Sequence, residues 1–206
     1  MQFIAQVFAK QGKLLHYRKE PETISHYLIQ KNISSIQFED IDGEEMQAPQ
    51  NVELLHRLLE TSKIPIRYAG GIMIAHHAEL LITLGVSEVI VDKGLFLTER
   101  SPEKFSRILG DALVARLLIN DFSITYDIIE TLKKLLGFGV HKVLFRTPVT
   151  DITNQKIPSE FIKILENFEG RKEIECKKIP VKSNLKALIN VGTSGCVLPF
   201  TKLAVK

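Results

Sequence analysis

Eight apolar runs of strand length recur along this chain of 206 residues, at 3–8, 35–39, 65–69, 88–92, 114–119, 142–146, 172–176 and 194–198. Between them lie seven stretches with apolar residues at spacings of three and four: "PETISHYLIQKN", "NVELLHRLLETS", "AHHAELLITLG", "SPEKFSRILG", "SITYDIIETLKKLLGFG", "SEFIKILENF" and "KSNLKALINVG". That spacing is the mark of a helix with one buried face. Several stretches start after Ser, Pro or Asn or stop at Gly, as helix ends do. Strands separated by helices run parallel, which leaves a closed (βα)8 barrel or a long doubly wound sheet. The length is near the lower limit for a barrel. Only eight residues follow the last run, so the final outer helix is expected to be truncated.

An internal repeat favours the barrel. Under a shift of 107 residues, "KNISSIQFEDIDG" (31–43) falls on "FGVHKVLFRTPVT" (138–150), and Gly85 falls on Gly192. Identities are few, but the apolar pattern carries over. A single domain over 1–206, made of half-barrels of about 1–110 and 111–206, is the expected organisation. No Pro/Gly/Ser-rich or charged tract interrupts the alternation.

The apolar fraction of 45% suffices for a sizeable core. No apolar run approaches the roughly 20 residues of a membrane span, and the first residues, "MQFIAQVFAKQGK", do not read as a secretory signal. Cys176 and Cys196 are too few for a disulfide framework and read as reduced core residues of a cytoplasmic protein. The tandem His76-His77 makes no metal site by itself, since neighbours on a helix point in different directions. No metal-ligand set or nucleophile–base constellation stands out, and no cofactor is implied. Net charge is +3, yet residues 171–206 alone are +6. Such a basic end could attract anions, but no aromatic residues interleave with its lysines, which speaks against a nucleic-acid partner.

The stretch "IRYAGGIMIAHHAELLITLGVSEVIVDKGLF" (66–96) reads as strand, glycine turn, helix, strand. Gly70-Gly71 would let backbone N–H groups approach an anion, with a helix N-terminus behind them. In the following turn Asp92 would repel a phosphate, Lys93 would attract it, and Gly94 keeps the backbone accessible.

"FIAQVFAKQGKLLHY", "IQFEDIDGEE", "PIRYAGGIMIAHHAELLITLGVSEVIVDKGLF" and "VLFRTPVTD" resemble the histidine-biosynthesis barrels, the ProFAR isomerase and the cyclase subunit of imidazole glycerol phosphate synthase. The resemblance implies a (βα)8 barrel of two half-barrels, a substrate with a phosphate at each end, and a pair of carboxylates at the ends of strands 1 and 5 for acid–base chemistry. Strand 1 of the pattern ends in an aspartate, where this chain has Phe8, which cannot exchange protons. Asp121, ending "LVARLLIND", fits the second carboxylate or simply caps the next helix. "RTPVTDIT" keeps Thr147, has Pro148 in place of an aspartate, and places Asp151 near the later acidic position. "EDIDG" keeps Asp42 and Gly43, which are turn formers or residues of the working face. The segment before helix 5, often longer and Trp-containing in the family, is short here. In the second half Lys177-Lys178 stands where Gly70-Gly71 stands in the first, and Pro199-Phe200 replaces a small-residue turn.

The expectation is a diverged member that binds a phosphorylated or anionic small molecule at Gly70, Gly71, Lys93 and Gly94, with the parent isomerase or cyclase chemistry impaired. Any remaining activity would centre on Asp121, Thr147, Asp151 and Asp42. The alternatives are a working isomerase with a substitute acid, or a noncatalytic barrel for a glutaminase-like or other protein partner, its mouth filled by Phe8 and Phe200.

Overall fold

The computed structural model describes residues 1–17, 19–120, 125–147 and 156–203. Its strands are β1 (Gln2–Lys10), β2 (Lys13–Leu14), β3 (Ser35–Asp40), β4 (Ile66–Ala69), β5 (Glu88–Val91), β6 (Leu113–Leu118), β7 (Lys142–Arg146), β8 (Arg171–Glu175) and β9 (Thr193–Pro199). Each strand pairs with the next in the order β1-β3-β4-β5-β6-β7-β8-β9, all parallel, and β1 also pairs with β9, so eight strands close into a barrel. The helices are α1 (Ile24–Ile29), α2 (Ile41–Met46), α3 (Val52–Thr61), α4 (Ala75–Thr83), α5 (Ser101–Leu109), α6 (Thr125–Gly137), α7 (Ser159–Glu166) and α8 (Lys182–Asn190). The eight expected runs are the eight barrel strands. After β9 the described chain makes one 3-10 turn, Phe200–Lys202, where a full barrel has its last helix.

Two elements differ from the sequence reading. β1 continues to Lys10 and turns back through Gln11 (φ 50°) and Gly12 (φ 71°) to the short antiparallel β2. The Asp-Gly pair 42–43, read as turn formers or as residues of the working face, lies inside α2. Asp40 starts that helix by accepting a hydrogen bond from Gly43 N at 2.8 Å, which satisfies one of the N–H groups a helix start leaves over.

Alternation along the strands divides their side chains between two faces. Outward residues such as Val7, Phe38, Tyr68, Val91, Leu117, Phe145, Ile174 and Leu198 join helix residues in the main core. Phe38 stacks on Tyr68, and Phe145 meets Phe161 of α7 edge-on at 6.0 Å. The outward Lys172 is buried, and its Nζ donates to the carbonyls of Leu165 (3.0 Å) and Phe168 (2.7 Å), the orphan acceptors at the end of α7. Burial lowers its ammonium pKa.

The inward residues form layers, as in other parallel barrels. The middle layer is apolar: Ile4, Ala69, Ile90, Val114, Leu144 and Val197. Toward the N-terminal ends of the strands lies an ionic layer. Arg67 is 1% exposed and pairs with Glu173, lies 3.6 Å from Glu88, and donates through Nε and Nη2 to Gln37 Oε1 (3.0 and 2.6 Å). Arg171 bridges Glu88 (3.2 Å) and Glu173 (2.7 Å), and Lys142 reaches Glu88 at 2.8 Å.

Removing one member of a buried ion pair strands the other. Arg67→Gln is therefore expected to destabilise the fold by about 3–5 kcal/mol, measured as a lowered midpoint of urea unfolding with an unchanged slope. A change below about 0.5 kcal/mol, the range of an ordinary surface substitution, would show that this layer does not hold the barrel.

Candidate functional site

The C-terminal ends of the strands carry the working face of such barrels. Parallel register sets Phe8 beside Glu39, and Glu39 beside Ala69, at this end. Alternation from Ile4 and Gln6 puts Phe8 on the inward face, partly exposed at the mouth.

The centre of the mouth is a second ionic layer built on Arg116 of β6, 5% exposed. Its Nη1 lies 2.8 and 3.0 Å from the two oxygens of Glu39, and its Nη2 lies 2.8 Å from Asp92 Oδ2. Glu175 of β8 lies 3.6 Å from Arg116 and 3.1 Å from Arg146 Nε. Gln6 and Gln37 donate to Glu39 Oε1 at 3.0 and 2.5 Å.

The carboxyl groups of this layer titrate differently. Burial works to raise Glu39, but Arg116, Gln6 and Gln37 outweigh it and hold the group below the usual glutamate range. Asp92 is likewise lowered, burial being outweighed by Arg116 and the Lys93 N–H. Glu175 is raised, first by burial and then by the charge of Glu39, which Arg116 and Arg146 only partly offset. The three carboxylates in turn raise the guanidinium of Arg116 despite its burial.

"EDIDG" divides among three jobs. Glu39 points into the mouth. Asp40, 1% exposed, points the other way and accepts from Gly43 N, Gln50 N, Asn51 N, Asn51 Nδ2 and Tyr68 Oη at 2.5–2.9 Å, which ties α2 and the start of α3 to the barrel. Asp42 accepts from Gln11 N (2.6 Å) and Asn51 Nδ2 (2.8 Å), so it pins the β1–β2 turn, and these bonds lower its pKa.

Gly70 and Gly71 are buried, with φ of 128° and 67°. A Cβ on Gly70 would strike the Asp40 carbonyl, one on Gly71 the Gly43 carbonyl, and one on Gly94 the Ile72 carbonyl. The double glycine is thus required by close approach of α2, whatever else it does. Lys93 lies at the rim, 3.1 Å from Glu44, in a pair 68% and 40% exposed. Asp92, expected to repel an anion, is neutralised by Arg116. The first turn of α4 holds no acidic residue, and its N-cap Ile74 makes no side-chain cap bond.

Asp121 and Asp151 lie outside the described residues. Thr147 is buried, and its hydroxyl has no hydrogen-bond partner among the described residues. Phe200 does not fill the mouth; it packs edge-on against Tyr17 and Tyr27, at 5.4 and 5.8 Å, on the outer side. His76 meets Glu79 at 3.4 Å on exposed helix surface. Among the described residues no cluster of His, Cys, Asp and Glu could hold a metal, and no helix is long and apolar enough to cross a membrane. Arg116, Glu175 and Arg146 escaped the sequence reading. For Arg116 and Arg146 the signal is a charged residue at an inward position of an apolar run, whereas Glu175 sits in the mostly charged strand "RKEIE".

Because Glu39 and Asp92 are held below their ordinary pKa values, their contribution to stability is present above the ordinary carboxylate range. It is lost as pH falls through the lower folded values. Arg116→Gln removes the cause, so the variant is expected to be less stable at neutral pH, by about 3–5 kcal/mol, and to lose less on acidification. Urea unfolding of both proteins at several pH values measures it; parallel acid limbs would refute the assignment.

Comparison with known proteins accords with this architecture. The family described as "Histidine biosynthesis protein" matches residues 5–115. The isomerase of Pelotomaculum thermopropionicum that acts on 1-(5-phosphoribosyl)-5-((5-phosphoribosylamino)methylideneamino)imidazole-4-carboxamide, the ProFAR isomerase, is 22% identical over 84% of this chain and 70% of its own length. The isomerase of the same name from Sulfurihydrogenibium sp. is 26% identical over 47% of this chain, a match that spans only 39% of that relative. The pyridoxal 5'-phosphate synthase subunit PdxS of Halalkalibacterium halodurans is 30% identical over 57% of this chain and 37% of its own length. With the family match spanning more than half of the chain and a closed parallel barrel beneath it, the chain belongs to the histidine-biosynthesis protein family.

Proposed function

We propose that this barrel no longer performs the isomerisation of its relatives and binds a small phosphorylated or other anionic molecule at the first-half corner of its mouth. The observation that supports the first part is Phe8. It stands inward in β1 beside Glu39, at the position where the family resemblance calls for a carboxyl group. Acid–base chemistry of this kind needs a donor and an acceptor acting together, each contributing typically about 10²–10⁴-fold. Asp42, the described candidate for a substitute acid, already binds Gln11 and Asn51.

Support for the anion comes from the corner of Gly71, Lys93, Gly94 and the N-terminus of α4. A helix start with uncapped N–H groups favours negative charge. The exposed Lys93–Glu44 pair contributes at most about 1 kcal/mol, so Lys93 can turn to a ligand at little cost. The half-barrel repeat gives the second half no equivalent corner, since Lys177-Lys178 and Pro199 stand there instead.

Two measurements test this. The chain is expected not to support growth without histidine in cells lacking the isomerase; vigorous growth would reverse the reading. Inorganic phosphate is expected to raise the melting temperature. Stabilisation of about 2.7 kcal/mol accompanies a hundredfold excess over the dissociation constant. Lys93→Gln should remove most of it, and an undiminished shift in that variant would move the anion elsewhere.

A further inference from the structure

Two carboxyl groups meet in the mouth at positions other than the strand ends that the family resemblance singles out. Glu39 comes from β3 and Glu175 from β8, both pointing inward and both with side chains 9% exposed. They share one donor, Gln37 Nε2, at 2.5 Å from Glu39 and 3.3 Å from Glu175. Glu39 is enclosed by short bonds from Arg116, Gln6 and Gln37. Glu175 has longer contacts, 3.6 Å to Arg116 and 3.1 Å to Arg146. Arg146 is 47% exposed and Leu118, at the end of β6, is 57% exposed, so Glu175 lies directly beneath the open rim. The charged groups facing Glu175 among the described residues are Glu39 from β3, Arg116 from β6 and Arg146 from β7; Asp92 of β5 acts through Arg116. With Glu44, 3.9 Å from Arg116 and paired with Lys93, four carboxyl groups share Arg116, Arg146 and Lys93, so among the described residues the layer has one negative charge in excess. A single proton cancels it, and the loosely held member is where it fits.

We propose that Glu175 is the proton donor of the mouth, holding that proton at neutral pH and presenting it beside Arg146 to an oxygen atom of a small polar ligand. The ligand class is a molecule with a carbonyl or anionic oxygen that the half-exposed guanidinium can hold. In the transfer the Glu175 O–H bond breaks and the ligand oxygen gains the proton. The carboxylate left behind faces Arg116 and Arg146 and recovers a proton from water. Burial and the neighbouring Glu39 charge, which raise the Glu175 carboxyl, agree with this role. The donor lies on β8 rather than β1, so the chemistry it serves has a different geometry from that of the relatives. The inference rests on the mouth being the working face, but its test needs no ligand and can fail independently of the phosphate measurement.

A water-soluble carbodiimide supplies the test, because it reports a carboxyl group that can give up a proton. Its nitrogen takes the proton, the carboxylate oxygen bonds to its central carbon, and nothing leaves. The whole protein is labelled between about pH 5 and pH 9, and adducts are located by peptide mass spectrometry. At pH 7 Glu175 is expected to label at least about tenfold faster than the surface residues Glu53 and Glu79, the ratio for one pKa unit. Labelling at this position should vanish in Glu175→Gln. Arg146→Gln alters a half-exposed side chain and removes an opposing cation, so labelling should persist to higher pH. Glu175 unlabelled while the surface carboxylates react, or a pH profile that Arg146→Gln leaves unmoved or shifts downward, overturns the proposal.

Discussion

The contact on which the mouth depends is the grip of Arg116 on Glu39 and Asp92, which draws three strands together at one point inside the barrel. Closing eight strands creates an interior that side chains must fill. Here aliphatic groups fill only the middle of it, and guanidinium–carboxylate contacts fill both ends. Buried ion pairs rarely beat well-packed hydrophobic residues in net stability. They do penalise error. A one-residue slip of a charge-bearing strand such as β3, β4, β6 or β8 would carry its inward charge to the outer, largely apolar face. The ionic layers therefore act less as glue than as a check on register.

The same residues define what the mouth can do. In a barrel that accepts a substrate with two phosphates, cations at the top must be free to meet it. Arg116 is spent on its own carboxylates, while Lys93 and Arg146 are cations near the rim with substantial exposure, and the exposed Lys177 and Lys178 follow β8 at the same end. Lys93 sits in the turn after β5 and Arg146 on β7. Under the two proposals a ligand at one corner would meet ammonium and uncapped helix N–H groups, and one at the other corner a guanidinium and a protonated carboxyl group. The barrel keeps the family's scaffold, and the proposed function places different polar chemistry in its mouth.

Much of the fold was legible because alternation of strand and helix periods is a long-range statement repeated eight times. Local irregularities did not disturb it. What was missed is local and has physical reasons. Asp-Gly reads as a turn by propensity, but Asp40 caps the segment into a helix and five donors to its carboxylate hold it there. The partner-protein alternative placed Phe200 in the mouth, yet Tyr17 and Tyr27 offer it an aromatic pocket outside. The mouth network stayed hidden for another reason. Arg116 sits in "VARLL" and looks like a blemish in an apolar run until closure sets it beside Glu39, 77 positions away. Inward charges within buried strands are a readable signal, though only for a reader who asks which face each residue occupies.

Gln37 gives this interior a direction. Its carbonyl oxygen accepts both bonds from Arg67 below, and its NH2 group donates to Glu39 and Glu175 above. Reversed, the amide would set donor against donor and acceptor against acceptor, so only one orientation survives. The side chain spans the apolar middle layer and joins two charge clusters that would otherwise be insulated from each other. The charge at the rim and the charge at the far end of the barrel thus stand one hydrogen bond away on either side of a single neutral amide with its poles fixed.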